Sequence, residues 1–405
     1  MSQRATGCIY CGRDGPYNRE HVIPAGLGAG DEMQLRGLVC QGCNDDFSKL
    51  EASVLRRGDI GLGRLALQEH GRDRGGKTRA PTFETTSAKL LTEDGRALEI
   101  SLGHRLAPEV LPQITQRGEF LEGGGSNRSK VENFLVRLEG MLNEKTALIR
   151  KRGSKAELHT LTQLELGATG YFVTDTLQVA RPSADVFWLE EPERDAPGSY
   201  PRVMERNQGS IALQVTDSSV DAAAAFLSLV KANLSKLKGS FLATVEAVDI
   251  QQPEIRVSAL APPEDDVARL IAKIGFNLLV HDQGESLCRN ERFDALCLAV
   301  REGKPELKVS VWSDTEGILP MLKQVFNQRH WMMIAPIPNP AGGLGLAVGC
   351  SFYGGAARIV LLADEMPLGF EAPYAFFAVD YQAHAVQYFN LTQISAKIQS
   401  AKSAA

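Results

Sequence analysis

The sequence predicts an α+β protein with a small N-terminal unit and a larger mixed C-terminal region. Four of its seven cysteines fall within the first 43 residues as two C-x2-C pairs, whereas the other three are isolated. Beyond residue 85, helical spacing of apolar residues alternates with strand-like patterns. The segment 71–81, GRDRGGKTRAP, is polar, basic and glycine-containing, which is typical of a linker. We therefore expect an N-terminal domain at 1–70, a basic linker at 71–84 and a C-terminal region at 85–405.

The N-terminal domain is predicted to contain two short strands and one helix. Strands are expected at 21–24 and 37–40, and a glycine-rich turn lies between them at 26–30. A helix from residue 44 to about 57 follows, because apolar residues at 47, 50 and 54 have helical spacing. Gly58 suits the position just after a helix end.

The C-terminal region is predicted to mix helices and strands. Helical spacing marks three segments, at 131–142, 222–237 and 267–278. Alternation or short apolar runs mark seven strands, at 98–102, 170–173, 241–248, 307–312, 331–337, 344–353 and 357–362. Polar loops suggest a division of this region near 118–130 or near 191–210. No group of titratable residues has ligand or catalytic-triad spacing here, so the role of the region stays open.

The basic residues are concentrated beside the cysteine pairs. The chain carries a net charge of −5, but residues 1–80 carry +2, and within them residues 52–79 carry +4. Such a run is typical of a solvated helix face and linker, or of contacts with phosphate groups. The candidate nucleic-acid-binding residues are Arg56, Arg57, Arg64, Arg72, Arg74 and Lys77.

No feature of the sequence predicts a membrane location. It has no run of eighteen or more apolar residues, and MSQRATGC lacks the basic and then apolar pattern of a signal peptide. We expect a cytoplasmic protein.

The paired cysteines predict a structural zinc site. Each C-x2-C pair places two thiolates on one tight turn, and two such turns complete a closed tetrahedral Zn2+ site. The expected ligands are Cys8, Cys11, Cys40 and Cys43. Only 28 residues separate the two pairs. A segment that short buries little apolar surface, so the ion would supply much of its folding free energy.

A carboxylate and an imidazole, Glu20 and His21, lie between the two cysteine pairs, and Asn44 follows the second pair. Closing the zinc site would bring the three residues close together. Carboxylate and amide oxygens suit Mg2+ or Mn2+, and a neutral imidazole can deprotonate water. Strand alternation would direct Glu20 and His21 to opposite sides unless a bulge or turn intervenes.

These stretches resemble the HNH endonucleases, the ββα-metal family, in particular the subgroup with zinc knuckles and an Asn in place of the last His. The matching features are the pair at Cys8 and Cys11, the EHVIP pentapeptide at 20–24, and the C-x2-C-N-x2-F-S-x-L-E stretch from Cys40 to Glu51. The resemblance covers about 60 residues of the 405.

The resemblance implies a zinc-stabilised ββα-metal domain at the N-terminus, followed by the larger mixed region. It implies that His21 is the general base and that Glu20 and Asn44 hold one catalytic Mg2+ or Mn2+ ion. The four cysteines would hold zinc away from the chemistry.

One position departs from the family pattern. Family members usually carry an Asn in the second strand that supports the catalytic loop, whereas this chain has Gln34-Leu35-Arg36-Gly37. That role is vacant or passes to Gln34. Glu51 lies seven residues after Asn44 on the same helical face, so it is either a group that orients His21 or a metal-bound water, or a solvent-exposed carboxylate.

Asn44 also has a purely structural interpretation. Asn is a favoured N-cap residue, so it could simply begin the predicted helix. The next two residues, Asp45 and Asp46, are read as structural, because the helix dipole favours negative charge in the first turn.

Three functional hypotheses follow. The first is a metal-dependent endonuclease of a bacterial defence or restriction type, which hydrolyses DNA, with RNA as the alternative substrate. The second is a nuclease gated by a C-terminal domain that senses a nucleotide or phage-derived ligand. The third is a non-catalytic zinc module that binds nucleic acid.

Overall fold

The computed structural model describes residues 6–70, 80–151, 158–180, 185–191, 200–206, 209–243, 250, 253–313, 317–327, 329–338, 342–366 and 374–404. These residues form a mixture of helices and strands, so the predicted α+β class is confirmed. The described helices are α1 Gln41–Leu55, α2 Gly58–Leu67, α3 Arg128–Met141, α4 Val220–Ala243, α5 Glu264–Gln283, α6 Glu285–Cys288, α7 Asp294–Glu302, α8 Ile318–Phe326 and α9 Leu391–Ala404.

The strands of the described residues belong to four sheets. In chain order they are β1 Tyr17–His21, β2 Gln34–Cys40, β3 Thr85–Leu91, β4 Ala97–Leu102, β5 Pro108–Val110, β6 Gln113–Arg117, β7 Phe120–Gly124, β8 Lys145–Lys151, β9 His159–Gly167, β10 Gly170–Val179, β11 Phe187–Glu190, β12 Arg202–Glu205, β13 Ile211–Gln214, β14 Glu254–Ala259, β15 Val309–Val311, β16 His330–Pro338, β17 Leu344–Ser351, β18 Arg358–Ala363, β19 Ala375–Asp380 and β20 Ala385–Asn390.

The chain divides into two compact units, and their limits differ from the expected ones. The first unit contains the described residues of 1–86, 104–106 and 259–405, and the second contains those of 87–103 and 107–258. Residues 6–70 therefore share a unit with the C-terminal third of the chain, because α1 packs against α5. The expected linker at 71–84 lies outside the described residues except for its last five.

The first unit is built around α5. A six-stranded antiparallel sheet, in the order β15-β18-β17-β16-β19-β20, packs against one side of α5, and α1 packs against another. Every residue of 267–280 except Arg269 is buried. A helix that is apolar on nearly all sides belongs in a core, so the two polar residues buried in it, Lys273 and Asn277, need partners.

The N-terminal part of this unit is an antiparallel pair, β1 and β2, followed by α1 and α2. The apolar positions that predicted α1 (Phe47, Leu50 and Val54) are all buried. The predicted helix limits were late at both ends, since α1 begins at Gln41 and a new helix begins at Gly58. Gly58 has a φ of +57°, which favours glycine at this junction.

The second unit contains an eight-stranded sheet in the order β10-β9-β8-β11-β13-β12-β6-β7, with α3 and α4 against it, and a smaller sheet in the order β14-β3-β4-β5. The stretch 118–130 lies inside this unit, because β7 pairs with β6. The strand predicted at 241–248 is wrong at its start, since α4 continues to Ala243. The remaining residues, 244–248, lie outside the described part of the chain.

Within the described part of the chain, no helix is both long enough and apolar enough to cross a membrane.

Candidate active site

The four paired cysteines lie together in the first unit. Cys8 and Cys11 belong to the loop before β1, Cys40 ends β2, and Cys43 lies in the first turn of α1. Their sulfur atoms all lie within 4.8 Å of one another, so the group could hold a metal ion. The Sγ atoms of Cys11 and Cys40 are 3.6 Å apart, too far for a disulfide. The hydrogen bond between Cys8 and Cys43 lowers the pKa of the Cys8 thiol and raises that of the Cys43 thiol.

Next to the cysteines is a cleft of about 480 Å³, and Glu20, His21 and Asn44 all line it. Glu20 and His21 lie on the same cleft although they are adjacent in β1. The strand ends at His21, and the only irregularity in its pairing lies earlier, between Asn18 and Arg19. The pairing is regular between Glu20 and His21, so no bulge between them accounts for their position on one cleft.

Asn44 contacts Glu20 directly. The Nδ2 atom of Asn44 donates to Oε2 of Glu20 at 2.6 Å, and the Oδ1 atom of Asn44 accepts from Asn18 at 3.4 Å. The alternative interpretation of Asn44 as a helix cap is wrong, because α1 begins three residues earlier and its N-cap residue is Cys40. The side chain of Asn44 therefore belongs to the cleft.

His21 is held through both its ring and its backbone. Its Nε2 atom lies 3.6 Å from Oδ1 of Asp31, and its carbonyl oxygen accepts from Nδ2 of Asn277 at 3.2 Å. Gln34 pairs with His21 in the β1–β2 register, and its amide donates to the same Asp31 oxygen at 3.2 Å. Gln34 therefore supports the histidine indirectly, through Asp31.

A fully buried lysine from α5 lies behind the cleft. Lys273 forms ion pairs with Glu20 and with Glu51, the latter at 2.7 Å. Burial alone would lower the pKa of Lys273, but the two carboxylates outweigh that effect and raise it, so the ammonium stays charged. Burial raises the pKa of Glu20, although Lys273 and Asn44 act in the opposite direction. Glu51 thus pairs with Lys273 and not with His21, and its side chain is partly buried, with 23% of its surface exposed.

Asn277, one turn after Lys273, extends the same network. Its Nδ2 atom lies 3.4 Å from Oε1 of Glu20, and its Oδ1 atom accepts from the Tyr10 hydroxyl at 2.8 Å. The Tyr10 ring packs edge-on against Phe47, with 4.7 Å between the ring centroids. A chain of contacts therefore links α5 to the cysteine loop and to the acidic side of the cleft.

The basic residues of 52–79 separate into different environments. Arg56 and Arg64 line the cleft, whereas Arg57 pairs with Glu84 at 2.7 Å and is not among the lining residues. Arg64 is 9% exposed, and its Nε atom has no hydrogen-bond acceptor within the described part of the chain. Burial lowers the pKa of its guanidinium, but arginine remains charged. Three further candidates, Arg72, Arg74 and Lys77, lie outside the described residues.

Four site residues were missed by the sequence analysis: Asn18, Asp31, Lys273 and Asn277. A detectable pattern existed for two of them. Lys273 and Asn277 are four residues apart on one face of an otherwise apolar helix, and buried polar residues in that arrangement require specific partners.

Comparison with protein-family models, with curated proteins and with solved structures finds no match for this chain. Any function must therefore be argued from the site itself. The cleft combines a carboxylate, an imidazole, a carboxamide and guanidinium groups. Such groups can coordinate a hard cation, accept a proton and bind an anion.

Proposed function

We propose that the protein is a metal-dependent nuclease of the HNH type, with DNA as its substrate. The observation that carries the proposal is that Glu20, His21 and Asn44 line one cleft together with Arg56 and Arg64. A proton acceptor, oxygen donors for a divalent cation and cations for a phosphate are the groups that phosphodiester hydrolysis needs.

The four cysteines fit a structural Zn2+ ion. Four sulfur donors from two C-x2-C pairs that lie together make a closed, soft set of ligands, which is typical of structural zinc. Two of the four cysteines lie in the loop before β1, one ends β2 and one lies in α1, so bound zinc would fix these elements against one another. It would thereby fix Asn44, which follows Cys43 directly, relative to Glu20.

The oxygen atoms of Glu20 and Asn44 fit a hard divalent cation, Mg2+ or Mn2+. When bound there, the ion would stabilise negative charge that develops on the phosphate and on the leaving oxygen. The two side chains already contact each other at 2.6 Å through Nδ2 of Asn44 and Oε2 of Glu20, so the Asn44 amide would have to rotate to present its Oδ1 atom to an ion that Glu20 binds.

In this proposal His21 is the general base. Its imidazole removes a proton from water as the oxygen attacks phosphorus, and the nearby Asp31 carboxylate favours the protonated ring that results. The P–O3′ bond breaks and the leaving 3′ oxygen takes a proton from solvent water, which gives a 3′-hydroxyl and a 5′-phosphate. Arg64 and Arg56 bind phosphate oxygens and do not read the bases, so this part of the interface would be insensitive to sequence.

Cleavage of a plasmid tests the proposal. Wild-type protein is incubated with DNA and Mg2+, Mn2+ or EDTA, alongside His21→Ala and His70→Ala. The second variant is a matched control, because His70 is exposed and does not line the cleft. We expect metal-dependent cleavage by wild type and His70→Ala, and none by His21→Ala at equal zinc content. A parallel RNA substrate decides which nucleic acid is preferred, and undiminished cleavage by His21→Ala would overturn the mechanism.

A further inference from the structure

The partners of Glu20 suggest how its affinity for a cation is set. Its Oε1 atom faces the Lys273 ammonium and Nδ2 of Asn277, while its Oε2 atom accepts from Asn44. Both oxygens of the carboxylate are therefore in use. A cation that binds Glu20 together with Asn44 has to share the carboxylate with Lys273.

Lys273 cannot simply move into solvent. It is fully buried, and α5 is surrounded by core residues. A buried ammonium is tolerated only while a carboxylate compensates its charge. Glu51 provides that compensation, because it contacts the same nitrogen at 2.7 Å and its side chain is partly exposed at the cleft. The lysine can therefore shift toward Glu51 without leaving an unpaired buried charge.

We propose that Lys273 is a positioning residue that competes with the divalent cation for Glu20, with Glu51 as the carboxylate that retains the ammonium when the cation binds. This inference rests on the proposed function, since it takes Glu20 to be a ligand of the ion. Lys273, 253 positions away from Glu20 in the chain, would then set the affinity of the cleft for the metal ion. Without a bound divalent cation, the ion pair with Lys273 would hold the Glu20 carboxylate in position.

Three substitutions are expected to change the affinity for Mn2+ in defined directions. Lys273→Met removes the competing charge and keeps a side chain of similar length, so Mn2+ should bind more tightly. Repulsion between two cations roughly 4 Å apart at an intermediate dielectric corresponds to a change in affinity of about tenfold or more. Glu51→Gln should weaken Mn2+ binding, because Lys273 then has only Glu20 as a partner. Glu20→Gln should abolish it.

The experiment measures Mn2+ binding to the full-length, zinc-loaded protein by calorimetry, together with the melting temperature with and without Mn2+. Lys323→Met is the matched control, since Lys323 is an exposed lysine on α8. We expect about tenfold tighter binding and a larger Mn2+-induced rise in melting temperature for Lys273→Met, and no change for the control. Equal or weaker binding by Lys273→Met would overturn the inference.

A second variant covers the case in which Lys273→Met does not fold. The double variant Lys273→Met with Glu51→Gln removes one positive and one negative charge, so the net charge of the network is kept. It should bind Mn2+ about tenfold more tightly than Glu51→Gln alone, and equal binding by these two variants would refute competition. If wild type and every variant fail to show Glu20-dependent Mn2+ binding, the proposed ion site itself fails. If that binding is present but insensitive to Lys273, only the present inference fails.

Discussion

Arg64 differs from the other arginines near it because it is buried without a described acidic partner. Arg57, seven positions earlier, pairs with Glu84, and the last residues of the basic run lie outside the described structure. A buried guanidinium with an unsatisfied Nε atom is costly, and an anion bound in the cleft would supply the missing acceptor. Arg57 and Arg64 contribute the same charge, so the sequence does not distinguish them. The packing of α2 does, because it buries Arg64 at the cleft while Arg57 does not line it.

We predict that Arg64→Met lowers DNA cleavage by roughly 100-fold, the order expected when one group that stabilises transition-state charge is lost. The melting temperature should stay constant or rise, because an uncompensated buried charge is removed. Steady-state cleavage and thermal unfolding are measured for Arg64→Met, Arg64→Lys and the control Arg57→Met. Arg64→Lys should recover part of the activity. Equal losses in the Arg64→Met and Arg57→Met variants would show that Arg64 has no special role.

At the scale of elements, α1 carries groups of both candidate centres. Cys43 and Asn44 are consecutive in its first turn, with one directed to the cysteine group and the other to Glu20. Glu51 lies two turns later and faces Lys273. The position of one helix therefore links the cysteine group to the cleft.

Loss of one cysteine should consequently affect the cleft as well as metal content. We predict that Cys40→Ser loses bound zinc, melts at a lower temperature and loses metal-dependent cleavage, because the ion supplies folding free energy to this region. Zinc content by mass spectrometry, melting temperature and cleavage are compared with those of Cys350→Ala, a buried cysteine in the six-stranded sheet. Full zinc content in the Cys40→Ser protein would refute the assignment of its ligands.

The elements also show what local sequence patterns can and cannot predict. Periodicity located α1 and α5, and cysteine spacing identified a group whose sulfur atoms do lie together. The start of α1 was misplaced because Asn44 resembles a capping residue, whereas its amide is used by Glu20. The contact of Lys273 with His21 spans 252 positions, and no pattern within a single helix encodes its partner.

At the scale of the whole molecule, the cleft depends on distant parts of the chain. The core of the first unit combines residues of the cysteine loop, β1, β2 and α1 with residues of α5 and the six-stranded sheet. His330, on β16, is fully buried in this unit beside Tyr353 and Tyr381. Its Nδ1 atom accepts a hydrogen bond from the Tyr353 backbone at 3.1 Å, which requires an unprotonated nitrogen at that position.

The burial of His330 predicts how stability depends on pH. Burial lowers its pKa in the folded protein to about 3, below the value of 6.5 for an unperturbed histidine. Between these values the unfolded chain binds a proton that the folded protein does not. The titration of His330 therefore does not reduce the free energy of unfolding above about pH 6.5. As the pH falls from there, the free energy of unfolding decreases by up to about 1.4 kcal/mol per pH unit, because the unfolded chain binds the proton.

We predict that His330→Gln reduces this pH dependence, because glutamine can still accept a hydrogen bond but does not titrate. The free energy of unfolding is measured by urea denaturation at pH 7.5 and at pH 5.0. The loss between the two should be smaller in His330→Gln than in wild type by about 2 kcal/mol. His70→Gln is the control, since His70 is exposed. Acid sensitivity of the cysteine group is common to all three proteins and cancels in the comparison. An identical pH dependence in wild type and His330→Gln would mean that His330 is protonated in the folded protein or that its burial is not maintained in solution.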